Sequence, residues 1–284
     1  LRATKGAQLR LKTYVRRKPP ISLMTLQQKI QEIRVRFGEE YDRTQHFHVY
    51  VLISQLLAAQ LSLYVHPDSA SDLPTSEHFH PDEIRNSIQE HQSKLEQLGG
   101  KDSFSAIVAE KLFLDRYRIL EDTIVALFVE LGCAFPQRLF DGKSAVKVSA
   151  AEIFENTSAE SIQKSVIESE VKSILFQGSL ESSLIKLGGK FNIQLQTYLK
   201  SLNEIQILSI IRNAITHDSG IVTGATMRRL KEKNGNINIE RGQDLRPYLE
   251  RNRDSIQEQI GSTVLQLFDA VKSLLDDGFQ ETNS

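Results

Sequence analysis

Residues 210–222 have the sequence Ile-Ile-Arg-Asn-Ala-Ile-Thr-His-Asp-Ser-Gly-Ile-Val, and this stretch decides how the rest of the chain is interpreted. Around it, Leu208, Ile211 and Ile215 recur at three- and four-residue intervals, a spacing that predicts a buried stripe along one helical face. Gly220 predicts the end of the helix, because glycine adopts the left-handed backbone conformation at little cost. The stretch therefore predicts a core helix that stops just before Gly220.

Polar side chains beside this stripe have the chemistry that RNA cleavage without a metal requires. Cleavage needs a base for the ribose 2′-hydroxyl, a cation for the crowded phosphorane and an acid for the leaving 5′-oxygen. The guanidinium of Arg212 is suited to holding a phosphate, and the imidazole of His217 to moving a proton near neutral pH. Asn213 lies beside Arg212 and would orient the histidine or the phosphate. These three residues are the candidate catalytic group.

The spacing alone is a loose pattern, and alternatives stay open. The chain has two further copies with similar spacing, Arg43 to His48 and Arg85 to His91. A structural alternative for residues 212–218 is a capped helix end with a salt bridge to Asp218. The pattern by itself favours neither interpretation. The buried stripe and the glycine stop are what distinguish this copy from the others.

With these residues quoted, the stretch resembles the motif of the HEPN superfamily, Arg-(Asn/His/Asp)-x-x-x-His followed by a polar residue and Gly-Ile-Val. Upstream, Leu175–Leu184 resembles the helix pair that precedes the motif, and Ile119–Gly132 is similar to the family's preceding long helix. The resemblance covers residues 103–277. One departure is Asp218, where many relatives carry asparagine, and it affects the tuning of the histidine.

The resemblance implies a metal-independent endoribonuclease, acting as a prokaryotic toxin or antiviral-defence effector, with a nucleotidyltransferase-like antitoxin as a partner. The alternative is a non-catalytic HEPN module that binds a nucleotide, RNA or a partner protein, and the resemblance favours the ribonuclease. In similar proteins a carboxylate on the preceding long helix faces the cleft, so Glu121 and Asp122 are candidate cleft carboxylates. A solvated acidic pair on the outer face is an equally supported alternative.

Helix geometry predicts that the site is shared between two copies of the chain. Five residues turn an ideal helix by about 140°, so Arg212 and His217 do not share a face. Two antiparallel copies about a two-fold axis would supply a pair of each residue to one cleft. We therefore expect a homodimer, with four apolar residues around the motif partly in its interface: Ile211, Ile215, Ile221 and Val222.

Composition describes an ordinary soluble globular protein of 284 residues, 40% hydrophobic and 25% charged. The net charge of −1 gives no support for a nucleic-acid partner, so any RNA site must be local. The single cysteine, Cys133, excludes an internal disulfide, suits a reducing compartment and predicts a cytoplasmic protein. The most apolar run, residues 49–65, is interrupted by polar residues, so no membrane span is expected. No clustered carboxylate or His/Cys site predicts a metal, and no cofactor is expected.

Two basic segments are candidate RNA-binding elements. Residues 1–18 carry seven Lys and Arg and no acid, among them Arg16, Arg17 and Lys18. A flexible solvated arm is the favoured interpretation of such a run, and an arm that follows RNA phosphates is the functional one. Arg228 and Arg229 lie in a second basic stretch just after the motif.

The pattern as a whole predicts an all-α helical bundle with at most one short β excursion near residues 236–240. Three units are expected: a basic arm over 1–20, an N-terminal helical part over 21–100, and a HEPN-like domain over 101–284. The boundary is placed at Gly99-Gly100, and a helix break is expected at Gly38. Predicted helix caps are Asp102 or Ser103, Ser158 for a helix reaching Phe176, and Asp244 for one long last helix.

Overall fold

The computed structural model describes residues 23–64, 90, 100–140, 158–198, 202–233 and 239–276. The described helices are α1 (Leu23–Tyr64), α2 (Gly100–Ala134), α3 (Pro136–Leu139), α4 (Ala159–Phe176), α5 (Leu180–Lys190), α6 (Leu195–Tyr198), α7 (Leu202–His217), α8 (Gly224–Lys233), α9 (Arg246–Arg251) and α10 (Arg253–Asp276). These residues form no β-strand, so the prediction of an all-α fold is confirmed. None of the described helices is both long enough and apolar enough to cross a membrane.

Helix α2 is the central element of the bundle, because apolar side chains surround most of it. Leu120, Ile124 and Phe128 are completely buried. Phe128 packs against Phe191 with ring centroids 5.9 Å apart. Around α2 lie α1, α4, α9 and α10, and α7 touches it as well. A helix that is apolar on nearly every side is stable in water only when other helices cover it, which explains this arrangement.

Helix α1 runs antiparallel to α2 and shares its core. Leu26, Ile30 and Phe37 of α1 belong to the same hydrophobic cluster as the buried residues of α2. The boundary predicted at Gly99-Gly100 therefore does not separate two hydrophobic cores in the described part of the chain. Gly100 is itself the first residue of α2, so this helix begins two to three residues before the predicted caps Asp102 and Ser103.

A buried carboxylate joins α1, α2 and α4. The residue Glu130 is 8% exposed, and its two oxygens accept hydrogen bonds from Lys29 at 2.7 Å and from Lys164 at 3.0 Å. Burial by itself would raise the pKa of Glu130. The two lysine hydrogen bonds and charges outweigh that effect and hold the pKa below its ordinary value. This group, Lys29–Glu130–Lys164, connects three helices through one acid.

The helix break predicted at Gly38 is wrong, because α1 continues through it. A glycine inside a helix costs only about 1 kcal/mol relative to alanine, which tertiary contacts on either side offset. Beyond the glycine, the Tyr41 hydroxyl donates to the carbonyl oxygen of Gln257 in α10. The buried guanidinium of Arg116 in α2 lies over the Tyr41 ring, 4.9 Å from its centroid. These contacts hold the second part of α1 against the bundle.

Of two further helix predictions, the bounds of α4 are confirmed and the single last helix is wrong. Ser158 is the N-cap of α4, accepting a hydrogen bond from the backbone N–H of Ser161, and the helix ends at Phe176 as predicted. The predicted single last helix is wrong, since α9 and α10 are separated at Asn252. Asp244 is not its N-cap; its carboxylate instead accepts from the backbone N–H of Arg246 at 2.9 Å.

The predicted β excursion falls mostly outside the described residues. Residues 234–238 are not described, and neither Ile239 nor Glu240 lies in a strand. The described part of the chain instead has an isolated antiparallel bridge between Ile221 and Asp244. This bridge joins the segment that follows the motif to the segment that precedes α9.

A pair of adjacent glycines in α5 gives a matched test of packing. A Cβ at Gly188 would lie 2.9 Å from the backbone oxygen of Ile193 and 2.8 Å from Leu195, whereas Gly189 has nothing within 4 Å. We expect Gly188→Ala to lower the free energy of unfolding by about 1–3 kcal/mol. Gly189→Ala should leave it unchanged or raise it by up to about 1 kcal/mol. Urea unfolding of both variants measures the difference, and equal values would contradict the close approach.

Candidate functional site

Helix α7 carries the motif, and its apolar side packs into the core as the spacing predicts. Leu208, Ile211 and Ile215 are 1%, 0% and 6% exposed. Arg212 and Asn213 are half-buried beside this stripe, and His217 is the exposed last residue of the helix. The prediction of a buried stripe that ends just before Gly220 is confirmed.

The end of α7 is a tight turn with two successive left-handed residues. The carbonyl oxygen of Ala214 accepts hydrogen bonds from the backbone N–H groups of Asp218 at 2.9 Å and Gly220 at 3.1 Å. Ser219 has φ +55° and Gly220 has φ +81°. The sequence predicts the glycine here, but nothing in it identifies Ser219 as a second left-handed position. The turn leaves His217 at the rim of the bundle.

Arg212 faces α2 rather than solvent. Its guanidinium carbon is 5.9 Å from the centroid of the Tyr117 ring, close enough for a cation–π contact. Nη2 lies 3.9 Å from a carboxylate oxygen of Glu121, and Nη1 donates to the side-chain oxygen of Asn213 at 3.1 Å. The cation therefore occupies a half-buried pocket with an aromatic floor and one acidic neighbour.

Burial is the main cause of the raised pKa values of the two ionisable residues next to Arg212, Glu121 and Tyr117. Burial raises the pKa of Glu121, the charge of Arg212 lowers it, and the neighbouring Asp122 raises it further. Burial also raises the pKa of Tyr117 to about 12, against the opposing effect of its hydrogen bond with Ser209. The charge of Arg212 opposes both increases, because it favours the ionised forms of Glu121 and Tyr117.

The two candidate cleft carboxylates differ in position. Glu121 is largely buried and forms the ion pair with Arg212, whereas Asp122 is exposed. They are adjacent in sequence, and successive helical side chains point about 100° apart. The prediction of an acid facing the motif thus applies to Glu121, and the alternative of a solvated outer-face acid applies to Asp122.

Arg212 and His217 have different surroundings in the structure. In the described part of the chain, no hydrogen bond or ion pair joins them, and neither forms a salt bridge with Asp218. The carboxylate of Asp218 accepts instead from the Thr226 hydroxyl at 3.3 Å. The structural alternative of a salt bridge to Asp218 is therefore absent from this helix end. One copy of the chain presents the arginine to α2 and the histidine to solvent.

A further arginine, Arg246 in α9, contacts the turn after the motif and was missed by the sequence analysis. Its Nη2 donates to the Ser219 carbonyl oxygen at 3.4 Å, and its Nη1 donates to Asp244 at 2.9 Å. Its Nε donates to Glu110 of α2. These partners are far from it in sequence, apart from Asp244, so no local pattern indicates the contact.

Two of the predicted RNA-binding residues lie in the described part of the chain, and the other three lie outside it. Arg228 and Arg229 are exposed on α8, the helix whose first turn contacts Asp218 through Thr226. Arg16, Arg17 and Lys18 lie outside the described residues. Among the described residues, α8 therefore carries the predicted basic pair, on a helix that contacts the residue after His217.

The apolar residues expected at a dimer interface are mostly in the chain's own core. Ile211, Ile215 and Val222 are buried, and Ile221 is 40% exposed. Three of the four are thus already covered within one chain, Ile211 and Ile215 in the α7 stripe and Val222 in the segment after the turn. Ile221 is the residue of this set that remains accessible.

The two rival Arg–His stretches and Cys133 show no set of contacts like that of Arg212 among the described residues. In the rival pair on α1, Arg43 and His46 are exposed, while the His48 side chain and residues 85 and 91 lie outside the described set. Burial raises the pKa of the Cys133 thiol to about 11, as expected of a packed residue rather than a nucleophile. Among the described residues, no group of three or more His, Cys, Asp or Glu is placed to hold a metal ion.

Known proteins do not identify this site. No protein-family model, no curated protein and no solved structure matches the chain. The chemistry of the site therefore has to be inferred from α7 and the segments that contact it.

Proposed function

We propose that the chain is a HEPN-type endoribonuclease that cleaves RNA through attack of the ribose 2′-hydroxyl, without a metal or cofactor. The observation that supports this most is that one helix, α7, carries both Arg212 and, five residues later, His217 as its last residue. The arginine sits in a half-buried pocket against Tyr117, and the histidine is exposed at the rim. A phosphate clamp and a proton-transfer group are the two functions that such cleavage needs.

Arg212 is suited to exchanging its present acidic neighbour for a phosphate. The separation of 3.9 Å between Nη2 and the Glu121 oxygen is longer than a hydrogen bond. A phosphate oxygen that approaches within about 2.9 Å would gain a charge-assisted hydrogen bond that Glu121 does not make. In this mechanism Arg212 stabilises the phosphorane, and Asn213, which already contacts its Nη1, keeps the guanidinium oriented.

His217 has the access that a proton-transfer group requires. It is exposed at the end of α7, while its helix is anchored in the core, so RNA would reach it without rearrangement of the bundle. The histidine accepts the 2′-hydroxyl proton or donates one to the leaving 5′-oxygen. One histidine assists one of the two proton transfers while water serves the other more slowly, and a two-fold dimer would supply a second histidine for that other step.

RNA is the proposed partner, and the exposed cations Arg228 and Arg229 on α8 support it locally. Phosphate contacts from Lys and Arg dominate nucleic-acid affinity, and a local basic face provides them even in a chain of net charge −1. We place the activity in a cytoplasmic prokaryotic toxin or antiviral-defence effector, with a nucleotidyltransferase-like antitoxin as the second protein partner.

A non-catalytic HEPN module is the second candidate, and one observation favours it. Arg212 already contacts Asn213 and Glu121, and no bond joins it to His217 in the described part of the chain. A site of this kind would bind a nucleotide, RNA or a partner protein through the same pocket without cutting anything. The two candidates predict opposite results in a simple cleavage assay.

We expect purified protein to cleave RNA in excess chelator and to leave a 2′,3′-cyclic phosphate. The 2′-oxygen is the nucleophile in the proposed reaction, so an oligonucleotide with a single 2′-deoxy substitution at the cleaved position should resist cutting there. Gel analysis with end-group identification by mass spectrometry provides the measurement. Activity lost in chelator and restored by magnesium would contradict the proposal, and RNA binding without cleavage would support the second candidate.

A further inference from the structure

We infer that Arg246 is a positioning residue for His217, acting by fastening the turn at the end of α7 to α2. The guanidinium donates to the carbonyl of Ser219, two residues after His217, and to Glu110 of α2. The effect on RNA cleavage rests on the proposed function. The effect on the placement of His217 does not, and the two are tested separately.

The orientation of Arg246 is fixed from several directions. Its backbone N–H and its Nη1 both donate to the carboxylate of Asp244, each at 2.9 Å. A Cβ added to Gly220 would lie 3.6 Å from the guanidinium carbon, so the guanidinium packs directly on the left-handed part of the turn. The neighbouring backbone N–H of Leu245 donates to the Gly220 carbonyl oxygen at 2.9 Å. The α9 end of the contact is therefore rigid.

Helix α2 holds both parts of the candidate site from one face. Glu110 and Glu121 are eleven residues apart, which corresponds to three turns, an offset of only about 20° and a rise of about 16 Å. Glu121 pairs with Arg212, and Glu110 pairs with Arg246. The same helical face thus lies against both Arg212 and the arginine that holds the turn after His217.

The turn depends on such support because its backbone is costly. A residue other than glycine in the left-handed region costs about 1–2 kcal/mol, and Ser219 has φ +55°. Conformations of this kind persist where the surroundings determine them. His217 is the last helical residue before this turn, and its exposed side chain makes no hydrogen bond in the described part of the chain, so the backbone of the helix end is what sets its direction.

The experiment compares Arg246→Gln with Arg251→Gln. Both change one arginine of α9, but Arg251 donates to the carbonyl of Pro247 within its own helix and serves as the matched control. We expect Arg246→Gln to shift the His217 ring signals in NMR spectra. It should also speed amide exchange of Gly220 and Ile221 by about tenfold or more, while the core amides keep their protection. The Arg251→Gln protein should match the parent chain in each respect.

The kinetic consequence is a selective loss of kcat. A misplaced catalytic group lowers kcat on the order of 10- to 100-fold. KM should change little, because phosphate contacts elsewhere set it. Glu110→Ala should give the same pattern. The double variant should be no worse than Arg246→Gln alone, because Glu110→Ala removes a contact that Arg246→Gln has already broken. Glu110→Ala also replaces Arg246→Gln in the NMR comparison if the latter fails to fold.

The outcomes separate the two inferences. A parent chain that cleaves no RNA removes the proposed function, and the NMR and exchange comparisons still decide the role of Arg246. Unchanged His217 signals and unchanged Gly220 exchange in a folded Arg246→Gln protein would overturn the positioning role. So would a loss of kcat that adds fully between Glu110→Ala and Arg246→Gln.

Discussion

Replacing His217 with alanine is expected to reduce RNA cleavage by about 100- to 10,000-fold, the range that general acid–base catalysis contributes. The side chain is exposed at the end of α7 and outside the buried stripe. Surface substitutions of this kind change stability by about 0.5 kcal/mol or less, so helical content and the thermal midpoint should be unchanged. Single-turnover cleavage of a labelled RNA, with circular dichroism of the same preparations, provides the measurement.

Arg212 should be equally necessary, but its test needs a different design. Removing the guanidinium leaves Glu121 as a largely buried carboxylate without its cation, which would reduce stability for a reason unrelated to cleavage. The double variant Arg212→Gln with Glu121→Gln avoids this and should remain folded and inactive. Glu121→Gln alone keeps the clamp and should retain activity.

The control for both experiments is His46→Ala, because His46 is an exposed histidine on α1, in the rival Arg43 to His48 stretch. Its substitution should leave cleavage within about twofold of the parent chain, as expected of a surface residue away from the site. Full activity in His217→Ala, or a strong loss in His46→Ala, would mean that α7 does not carry the catalytic group.

The second large effect is expected from mixing two inactive variants. If the site combines two copies of α7, His217→Ala and Arg212→Gln/Glu121→Gln proteins should each be inactive alone. After mixing and subunit exchange, about half of the dimers contain one intact Arg212 and one intact His217 in the same cleft. Activity should then recover to a readily measured fraction of the parent value, and sedimentation velocity should show the mass of a dimer.

A substitution of Ile221 tests whether activity depends on the dimer interface, because Ile221 is the exposed one of the four apolar residues around the motif. Ile221→Glu should weaken association and make specific activity fall on dilution, while the folded monomer persists. The buried neighbour Val222 is unsuitable, since a charge there would disrupt the core. A stable monomer with full specific activity, or mixtures that stay inactive, would contradict the composite site.

The features that the sequence predicts correctly are those with a local physical cause. The apolar spacing of α7 is visible in Leu208, Ile211 and Ile215, and Gly220 and Ser158 act on neighbouring backbone through their own chemistry. Each of these residues lies within about one helical turn of the backbone that it affects. A single amino-acid sequence is therefore enough to predict the effect.

The features that were missed depend on residues that meet only after folding. Gly38 fails to break α1 because Tyr41 contacts α10 and α2 on the far side of it. The Arg246–Glu110 contact joins residues 136 positions apart. No periodicity encodes such pairs, since they depend on how helices pack rather than on how each helix forms. The choice between Glu121 and Asp122 depends in the same way on where α7 lies.

The group Lys29–Glu130–Lys164 has a consequence for acid tolerance. A carboxyl group whose pKa is lowered by folding binds protons less readily in the native state than in the unfolded chain. Its contribution to stability is complete above the ordinary glutamate pKa of about 4.3 and is lost as the pH falls through the lowered value. Urea unfolding of the parent chain and Glu130→Gln at descending pH should show their difference shrink over this range. Because one acid joins α1, α2 and α4, its protonation weakens the polar contacts of all three helices at the same pH, while their shared hydrophobic core remains.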